Sequence, residues 1–414
     1  MQDNEKKPAL RFKGFTDPWE QRKLTNLCEK FTDGDWIEAK DQSDSGVRLV
    51  QTGNVGVTEY LDKPNNKKWI SFETFEQLHC EEVYPGDILI SRLPEPAGRA
   101  CIMPNLGTKM ITAVDCTIVR PNAVTSTRFL LQYLSSQAYF DAVNTCLAGG
   151  TRQRISRGNL AQFNVPIPSS KIEQEKIGEV LEKLDTLITL HQRKYEKLVN
   201  IKKSMLDKMF PKNGASVPEI RFKGFTDPWE QRKLSDIVEK VTEKNAGLQY
   251  IETFTNSAEF GIISQRDFFD HDISKIGSLD GYYVVHNEDF VYNPRISVTA
   301  PVGPINRNKL GRTGVMSPLY TVFRPHDIDT TYLEHFFKSE YWHSFMNFNG
   351  DSGARSDRFS IKDSVFFEMP IPTPDIEEQK KIGEFLTQLD TLITLHQREH
   401  IKPILEVKRV KRNE

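Results

Sequence analysis

The chain has 414 residues, with 55 Lys+Arg against 57 Asp+Glu for a formal net charge of −2, and 38% of its residues are hydrophobic. This composition excludes a disordered chain, and since no stretch approaches roughly 18 consecutive apolar residues, the sequence predicts no membrane span. At ~100–200 residues per domain we expect two to four domains, and the polar start without a secretory signal predicts a cytoplasmic location.

The five cysteines bear on cofactors. Their number is odd, and no two of them are separated by only two or four residues, which argues against a disulfide framework and a structural zinc site. We expect reduced thiols and predict neither a metal site nor a cofactor. The cysteines are Cys28, Cys80, Cys101, Cys116 and Cys146.

Two segments of the chain occur twice. Residues 11–24 read RFKGFTDPWEQRKL, and the same fourteen letters return at an offset of 210. Residues 184–193 read LDTLITLHQR and return unchanged at an offset of 205. The stretches in between, roughly 25–164 and 235–368, hardly resemble each other. The sequence therefore predicts a tandem duplication of a ~200-residue unit. We expect the matched segments to have the same role in both units and the middles to have different roles.

The middle of each unit has the pattern of mixed α and β structure. Short β-type runs bounded by Gly, Pro or Asn predict strands at 87–90, 117–119 and 282–285. Helix-like stretches follow at 128–143 and 332–345. Similar letters around the strands indicate that the two middles share a fold while their surfaces differ.

Each unit ends in a predicted long helix. Apolar residues of the first helix recur at steps of four and three for about three heptads until Pro211 ends it, and the second helix repeats the pattern until Pro403, which we expect to shorten or bend it. Because a long amphipathic helix needs a partner, we predict an antiparallel pair. His191 and His396 fall on its seam and are interpreted as satisfied core histidines rather than metal ligands or a pH switch. The predicted pairing residues are Leu181, Leu184, Ile188, Leu386, Leu389 and Ile393.

No motif predicts a catalytic site in this chain. A GxxxxGK[ST] phosphate loop is absent from the sequence. Asp17-Pro18-Trp19 lacks one proline of a methyltransferase signature. The acidic residues from Asp375 to Glu378, which mimic a nuclease signature, are interpreted as capping a helix N-terminus. We therefore predict a protein that is not an enzyme by itself.

A basic loop recurs at the same place in both units. Residues 149–157 read GGTRQRISR, with three arginines and no acid, and residues 353–360 read GARSDRFS. Glycine lets a backbone approach a ligand closely, and arginine can bind phosphate or guanine through two hydrogen bonds, so we predict DNA binding, with a solvated loop as the alternative. The predicted DNA-binding residues are Arg152, Arg154, Arg157, Arg355 and Arg358, together with the polar candidates Arg48, Gln51, Asn54, Arg92, Gln265, Arg266 and Arg295.

These features together resemble the specificity subunit, HsdS, of type I restriction-modification systems. The likeness covers nearly the whole chain and depends on the tandem FKGFTDPWEQRKL segments, the duplicated LDTLITLHQR helices and the GGTRQRIS-type loop. It implies an α+β fold with an internal pseudo-two-fold duplication, in which two mixed α/β target-recognition domains are joined by two long antiparallel helices. We expect recognition domains at 7–169 and 213–374, a central spacer helix at 170–212 and a distal spacer helix at 375–408.

The same resemblance implies a subunit that binds double-stranded DNA. Each domain would contact one half of a bipartite target, and half-sites about one helical turn (~34 Å) apart should differ because the domains differ. Two modification subunits would dock on the repeated regions for adenine methylation, and restriction subunits would supply the ATP-driven motor and the nuclease. Six repeated aromatic residues are either partner anchors or local core, and the sequence does not separate the two: Phe12, Phe15, Trp19, Phe222, Phe225 and Trp229.

Two other classes of protein stay open at this point. A stand-alone DNA adenine methyltransferase would bind its cofactor without a partner. A coiled-coil interaction scaffold would assemble proteins without any DNA specificity. Cofactor binding by the isolated chain would favour the first class, and DNA binding in the presence of a modification subunit would exclude the second.

Overall fold

The computed structural model describes residues 8–148, 153–212, 215–269, 276–351 and 357–410. The chain divides into two compact units, Met1–Thr189 and Leu190–Glu414. Within the described ranges no helix is both long and apolar enough to cross a membrane.

The described residues of the first unit form ten short strands, four short α-helices and the beginning of a long one. Its strands are β1 Glu20–Lys23, β2 Cys28–Asp33, β3 Gln42–Ser43, β4 Val47–Val50, β5 Lys68–Ile70, β6 Ile88–Ser91, β7 Ala100–Ile102, β8 Met110–Thr112, β9 Cys116–Pro121 and β10 Asn164–Ile167. Its helices are α1 Phe72–Gln77, α2 Thr127–Tyr133, α3 Gln137–Thr145 and α4 Arg157–Gln162, followed by α5 Lys171–Lys208, which continues into the second unit.

The second unit repeats this composition. Its strands are β11 Glu230–Lys233, β12 Val238–Lys240, β13 Phe254–Ser257, β14 Gly261–Ser264, β15 Tyr283–Val285, β16 Phe290–Tyr292, β17 Ile305–Arg307, β18 Gly314–Met316, β19 Thr321–Pro325 and β20 Pro370–Thr373. Its helices are α6 Gln265–Phe269, α7 Thr330–Phe337, α8 Tyr341–Asn349, α9 Asp363–Phe366 and α10 Ile376–Val410. The strands predicted at 87–90, 117–119 and 282–285 are found as β6, β9 and β15.

The central sheet has the same topology in both units. It is antiparallel, with the order β2-β9-β6-β7 in the first unit and β12-β19-β16-β17 in the second. Beside it the first unit has the four-stranded sheet β3-β5-β4-β8, whereas the described part of the second unit has two separate pairs, β13-β14 and β15-β18. The two middles therefore share the central sheet, as predicted, and differ in the strands beside it.

The matched segments close each unit around its middle. The letters EQRK form β1 and β11, which pair antiparallel with β10 and β20. Arg22 lies opposite Val165 in the first pair, and Arg232 lies opposite Ile371 in the second. The first and last strands of each unit therefore pair with each other as a two-stranded ribbon, and the ribbon consists of matched sequence in both units.

Each stretch predicted as one helix in the middles is two helices. In the first unit the helical conformation is interrupted between α2 and α3. Ser136 caps α3, and its Oγ accepts a hydrogen bond from the Tyr139 N–H at 3.3 Å. In the second unit α7 ends before Ser339, whose Oγ donates to the Phe336 carbonyl oxygen at 2.6 Å. A serine hydroxyl that bonds the nearby backbone offers an alternative to continuing the helix.

The start of each long helix packs tightly against a short helix of the same unit. A Cβ added to Gly178 would lie 2.7 Å from the backbone nitrogen of Phe129, and one added to Gly383 would lie 3.1 Å from that of Tyr332. A Cβ at Gly178 would clash with the backbone, and one at Gly383 would require its neighbours to move by a few tenths of an ångström. The letters KIGE, which occur at 176–179 and again at 381–384, thus place a glycine at one close helix-to-helix contact in each unit.

The second long helix does not end at Pro403. Instead α10 runs to Val410 as one element, so the expected shortening is wrong. A proline removes one backbone hydrogen bond of a helix, and the helical conformation of α10 continues past that position. Its N-terminus is capped by Asp375, whose Oδ1 accepts from the backbone N–H groups of Glu377 at 2.9 Å and Glu378 at 3.0 Å.

All five cysteines are free, as predicted. Cys80, Cys101 and Cys116 are buried. Burial raises the pKa of Cys101 to about 12 and that of Cys116 to about 11. These thiols therefore stay protonated at neutral pH and pack in the interior of the first unit.

Candidate nucleic-acid interface

The basic loop of the first unit is anchored at its second half. Arg154 and Ala148 exchange backbone hydrogen bonds of 2.9 and 3.0 Å, and the buried Ile155 donates its N–H to the carbonyl oxygen of Arg92 at 3.2 Å. Arg157 follows as the first residue of α4, which Ser156 caps. Three of the predicted DNA-binding arginines, residues 92, 154 and 157, therefore converge at one place, while Arg152 lies outside the described residues.

The basic loop of the second unit has an equivalent anchor. Phe359 is buried and donates its N–H to the Pro294 carbonyl oxygen at 2.7 Å. A β-bridge joins Arg295 to Arg358, so these two predicted residues are adjacent, and both are exposed. Arg355 lies outside the part of the chain that the structure describes. Arg358 occupies the place that Arg154 has in the first unit.

Three other predicted residues of the first unit take part in its own architecture. Arg48 is 2% exposed, and its Nη1 donates to the carbonyl oxygens of Leu49 at 3.0 Å and Lys68 at 2.8 Å. Asn54 is also buried and closes a turn, because its Oδ1 accepts from the Gln51 N–H at 3.0 Å. A guanidinium that satisfies carbonyl groups inside the protein is not available to DNA. Arg92 is also buried, and its Nη2 donates to the Val114 carbonyl oxygen at 2.7 Å. We therefore leave Arg48, Asn54 and Arg92 out of the proposed interface.

Gln265 and Arg266 begin α6 in the second unit. Gln265 donates from Nε2 to the Phe254 carbonyl oxygen at 3.4 Å, and Arg266 is exposed. Nearby, a hydrogen bond from Arg312 lowers the pKa of Glu252, and the charge of Arg266 contributes to the shift. The structure does not bring these residues into the Arg295–Arg358 bridge.

Two pairs of residues that the sequence did not single out hold the matched segments in place. Arg11 donates from Nε and Nη2 to the carboxylate of Glu173 at 2.7 and 2.8 Å, and Arg221 binds Glu378 with the same two distances. Both glutamates are buried. Glu378 thus pairs with an arginine, and only Asp375 of the predicted acidic cap accepts from the helix N-terminus. The recurrence of Arg and Glu at the same places in both copies was the signal for these pairs.

The six repeated aromatic residues contribute largely to local packing. The Trp19 ring packs edge-to-face on Phe129 with centroids 5.9 Å apart, and Trp229 is buried, with its Nε1 donating to Glu378 at 3.1 Å. Lys176 lies over the ring of Phe15 at 5.2 Å. In the second copy, Phe222 packs edge-to-face on Phe385, with centroids 5.9 Å apart, and Lys381 lies over Phe225 at 4.7 Å. Phe12 is exposed over 38% of its surface.

Within the second unit the end of α5 runs antiparallel to α10. Lys202 forms an ion pair with Asp390, while His191 meets His396 with an Nδ1–Nδ1 distance of 3.1 Å. As the residue number falls on α5 it rises on α10, and that order defines an antiparallel pair. Of the residues predicted to form the pair, Leu386 and Leu389 are buried, Ile188 and Ile393 are half-buried, and Leu181 and Leu184 are exposed.

Comparison with known proteins identifies the class of protein to which this chain belongs. The sequence model of the type I restriction modification DNA specificity domain matches the chain twice, at residues 16–200 and 226–405. The chain therefore belongs to the type I restriction-modification DNA specificity family. Two recognition domains in tandem make it a specificity subunit, and the predicted α+β duplication is confirmed.

Individual relatives agree with this family. A Methanocaldococcus jannaschii protein assigned as the type I restriction enzyme MjaX specificity subunit is 23% identical over 92% of this chain and 89% of its own length. The MjaVIII specificity subunit of the same organism is 26% identical over 57% of this chain and 58% of its own length. The crystal structure of the type I restriction-modification S subunit from M. genitalium has the same fold, with 12% identity, a TM-score of 0.53 and coverage of 98% and 97%.

Proposed function

We propose that each recognition domain contacts one half of a bipartite, asymmetric DNA target. The observation that carries this proposal is the pair of equivalent arginines, Arg154 and Arg358. Both belong to a basic loop, and both precede a buried neighbour that donates to the backbone just after a strand, Ile155 in one unit and Phe359 in the other. The surroundings of the two arginines differ, so the two half-sites should differ as well.

The matched segments are the proposed docking sites for two modification subunits. The Arg11–Glu173 and Arg221–Glu378 pairs have the same geometry, so the two copies offer one partner the same shape twice. The exposed ring of Phe12 and the half-buried rings of Phe15 and Trp19 are aromatic groups of the first copy that a partner can reach. We assign the recognition domains to 7–169 and 213–374, and the spacer helices to 170–212 and 375–408.

Catalysis in the assembled complex is assigned to the partner subunits. Modification subunits would transfer the methyl group to adenine, and restriction subunits would hydrolyse ATP and cut DNA. The match of both halves of this chain to a specificity domain supports a recognition role and disfavours a stand-alone methyltransferase. The same match to a DNA specificity domain likewise disfavours a scaffold without DNA specificity.

Removing either arginine tests the proposal. In the complex with its modification subunits, Arg154→Ala and Arg358→Ala should each weaken DNA binding. If the lost contact is to a phosphate, the slope of log affinity against log salt concentration should fall by ~0.9. If it is to a base, the preference for the target over other DNA should fall instead. Fluorescence titrations at four or more salt concentrations, with target and non-target duplexes, measure both quantities.

The matched control is Arg128→Ala. Arg128 lies on α2, is as exposed as Arg154 and forms a 3.0 Å ion pair with Glu182 on the long helix. This variant should bind target DNA like the parent chain. If the Arg154 and Arg358 variants also kept the parent affinity, slope and target preference, the two loops would not be DNA-binding sites.

A further inference from the structure

Five charged side chains of alternating sign form a continuous chain beside the basic loop of the first unit. Arg157 Nε lies 3.8 Å from Asp33 Oδ2, and Arg92 Nε lies 3.5 Å from Asp33 Oδ1. On the other side, Arg92 Nη2 lies 3.8 Å from Asp115 Oδ1, and Arg154 Nη1 lies 3.6 Å from the same oxygen. Arg92 is thus the centre of the series, and we name the five residues the arginine–aspartate series.

Burial decreases steadily from the centre of the series to its ends. The side chain of Arg92 is 10% exposed, those of Asp33 and Asp115 are 23% and 29% exposed, and those of Arg157 and Arg154 are 47% and 61% exposed. The inner members are therefore enclosed by protein, while the two outer guanidinium groups face solvent.

The inner members are fixed by further hydrogen bonds. Arg92 donates from Nη2 to the Val114 carbonyl oxygen at 2.7 Å, and its backbone N–H donates to the Asp115 carbonyl oxygen at 2.9 Å. Asp33 accepts from the Thr117 hydroxyl at 2.8 Å through Oδ1. Asp33 is thus held through its carboxylate and Asp115 through its backbone carbonyl oxygen, and each lies beside one exposed arginine.

Stability explains only the inner contacts of the series, in which Asp33 and Asp115 compensate the charge of the nearly buried Arg92. Ion pairs as exposed as those of Arg154 and Arg157 contribute little to stability. On a surface that binds DNA, a carboxylate also repels phosphates, so two aspartates lower the general affinity of this face. The contacts of the two aspartates with Arg154 and Arg157 are therefore explained neither by stability nor by general affinity.

Contact with a carboxylate restricts the positions that an arginine side chain adopts. A free arginine side chain loses rotamer entropy when it is ordered, and a carboxylate that orders it beforehand reduces that loss on binding. Guanine is the base that offers two acceptors, O6 and N7, to one guanidinium in the major groove. An arginine held at a fixed angle discriminates guanine from other bases better than a mobile one.

The second unit does not repeat the series. Among its described residues, neither Arg295 nor Arg358 forms an ion pair with a carboxylate, and the two are joined only through the backbone bridge. The series is therefore a property of one recognition domain and not of the duplicated frame.

We infer that Asp33 and Asp115 are positioning residues that present Arg157 and Arg154 to guanine in the half-site contacted by the first domain. This inference rests on the proposed function, because it requires the first domain to contact bases. It assigns to one half of the target at least one G·C pair whose recognition depends on two aspartates.

Asparagine substitutions in the assembled complex test the inference. The half-site of the first domain is the half of the methylated motif that stays unchanged when residues 235–368 are exchanged. Affinity is measured for the target and for duplexes in which each G·C pair of that half is replaced. The parent complex should lose roughly ten- to hundredfold for at least one replacement. Asp33→Asn and Asp115→Asn should each reduce this discrimination on the order of tenfold, while affinity for non-target DNA stays equal or rises.

Asp44→Asn is the matched control. Asp44 is exposed, and its substitution removes one negative charge at a position outside the arginine–aspartate series. If Asp33→Asn and Asp115→Asn raised affinity for target and non-target DNA by one common factor, as a removed surface charge would, the positioning role would be wrong. It would also be wrong if both variants kept the full discrimination of the parent, or if the half-site held no G·C pair. A parent complex without any sequence preference would instead contradict the proposed function. Thermal unfolding of both variants confirms that each is folded.

Discussion

Two glutamates show how single residues connect the ends of each repeat. Glu173 and Glu378 are buried at the start of a long helix, and each is bound by the two nitrogens of one arginine. A buried carboxylate destabilises a fold unless it is paired, so losing either partner leaves an uncompensated charge. This coupling requires both the RFKGF segment and the helix start to be kept in each copy.

His335 gives the second unit a dependence on pH. The side chain is 1% exposed on α7, and burial lowers its pKa from 6.5 to about 3, with the charge of Lys338 contributing. The unfolded chain takes up a proton near pH 6.5, whereas the folded chain does not until about pH 3. Stability therefore falls as the pH falls below 6.5. His335→Gln should lose less stability between pH 7 and pH 5 than the parent, by about 1 to 2 kcal/mol, measured by urea unfolding at both pH values.

His326→Gln serves as the control for this effect. His326 is 40% exposed and contacts Asp327 at the surface of the same unit. This variant removes an exposed imidazole and leaves the buried one in place. Equal pH dependence in the parent and in His335→Gln would show that His335 is not the group responsible.

At the scale of elements, identical letters occupy different environments. Leu184 and Leu389 hold the same place in the repeated LDTLITLHQR segment, yet Leu184 is 42% exposed and Leu389 is 7% exposed. Leu389 belongs to the core of the second unit, together with Ile382, Leu386 and Phe336. The heptad pattern predicted one apolar seam shared by both helices. The seam residues are mostly buried in α10 but largely exposed in the first half of α5.

Truncating the two leucines separates these environments. Leu389→Ala should reduce the free energy of unfolding by about 2–4 kcal/mol, because it leaves a cavity in a packed core. Leu184→Ala, with the same neighbours in sequence, should cost less than about 1 kcal/mol in the isolated chain. Urea denaturation of both variants measures the difference. Equal losses would contradict the different burial of the two helices.

The long-range organisation of the chain was predictable from its sequence, whereas the interruption of a helix at a single residue was not. The duplication and the two long helices were predictable because repeats and heptads are visible in one chain. The break between α2 and α3 was not, since a single serine cap decides it. Continuation of α10 through Pro403 was not either, because it depends on how the rest of the helix compensates for one lost hydrogen bond.

The candidate site was predictable in part for the same reason. The arginines at 154, 157 and 358 were found because a basic loop is a local pattern that occurs twice. The partners Asp33 and Asp115 were missed because their contacts join β2 and the residues before β9 to a loop more than thirty positions away. Arg48 was misleading, since no local pattern shows that its side chain is buried.

At the scale of the whole molecule, the net charge of −2 combines regions of opposite sign. The arginine–aspartate series alone contains three cations and two anions within one face of the first unit. A near-neutral chain suits a subunit that shares its DNA contacts with partners, because it need not neutralise all the phosphates itself.

The central claim is that the two unlike domains each specify one half of the target, and exchanging one domain tests it most directly. Residues 235–368 are replaced by the corresponding stretch of another specificity subunit, and the hybrid chain is produced with its modification subunit. Sequencing that detects methylated adenine then gives the motif of the parent and of the hybrid. We predict that one half of the motif changes while the other half stays the same. Changes in both halves, or an unchanged motif with retained methylation, would contradict the account.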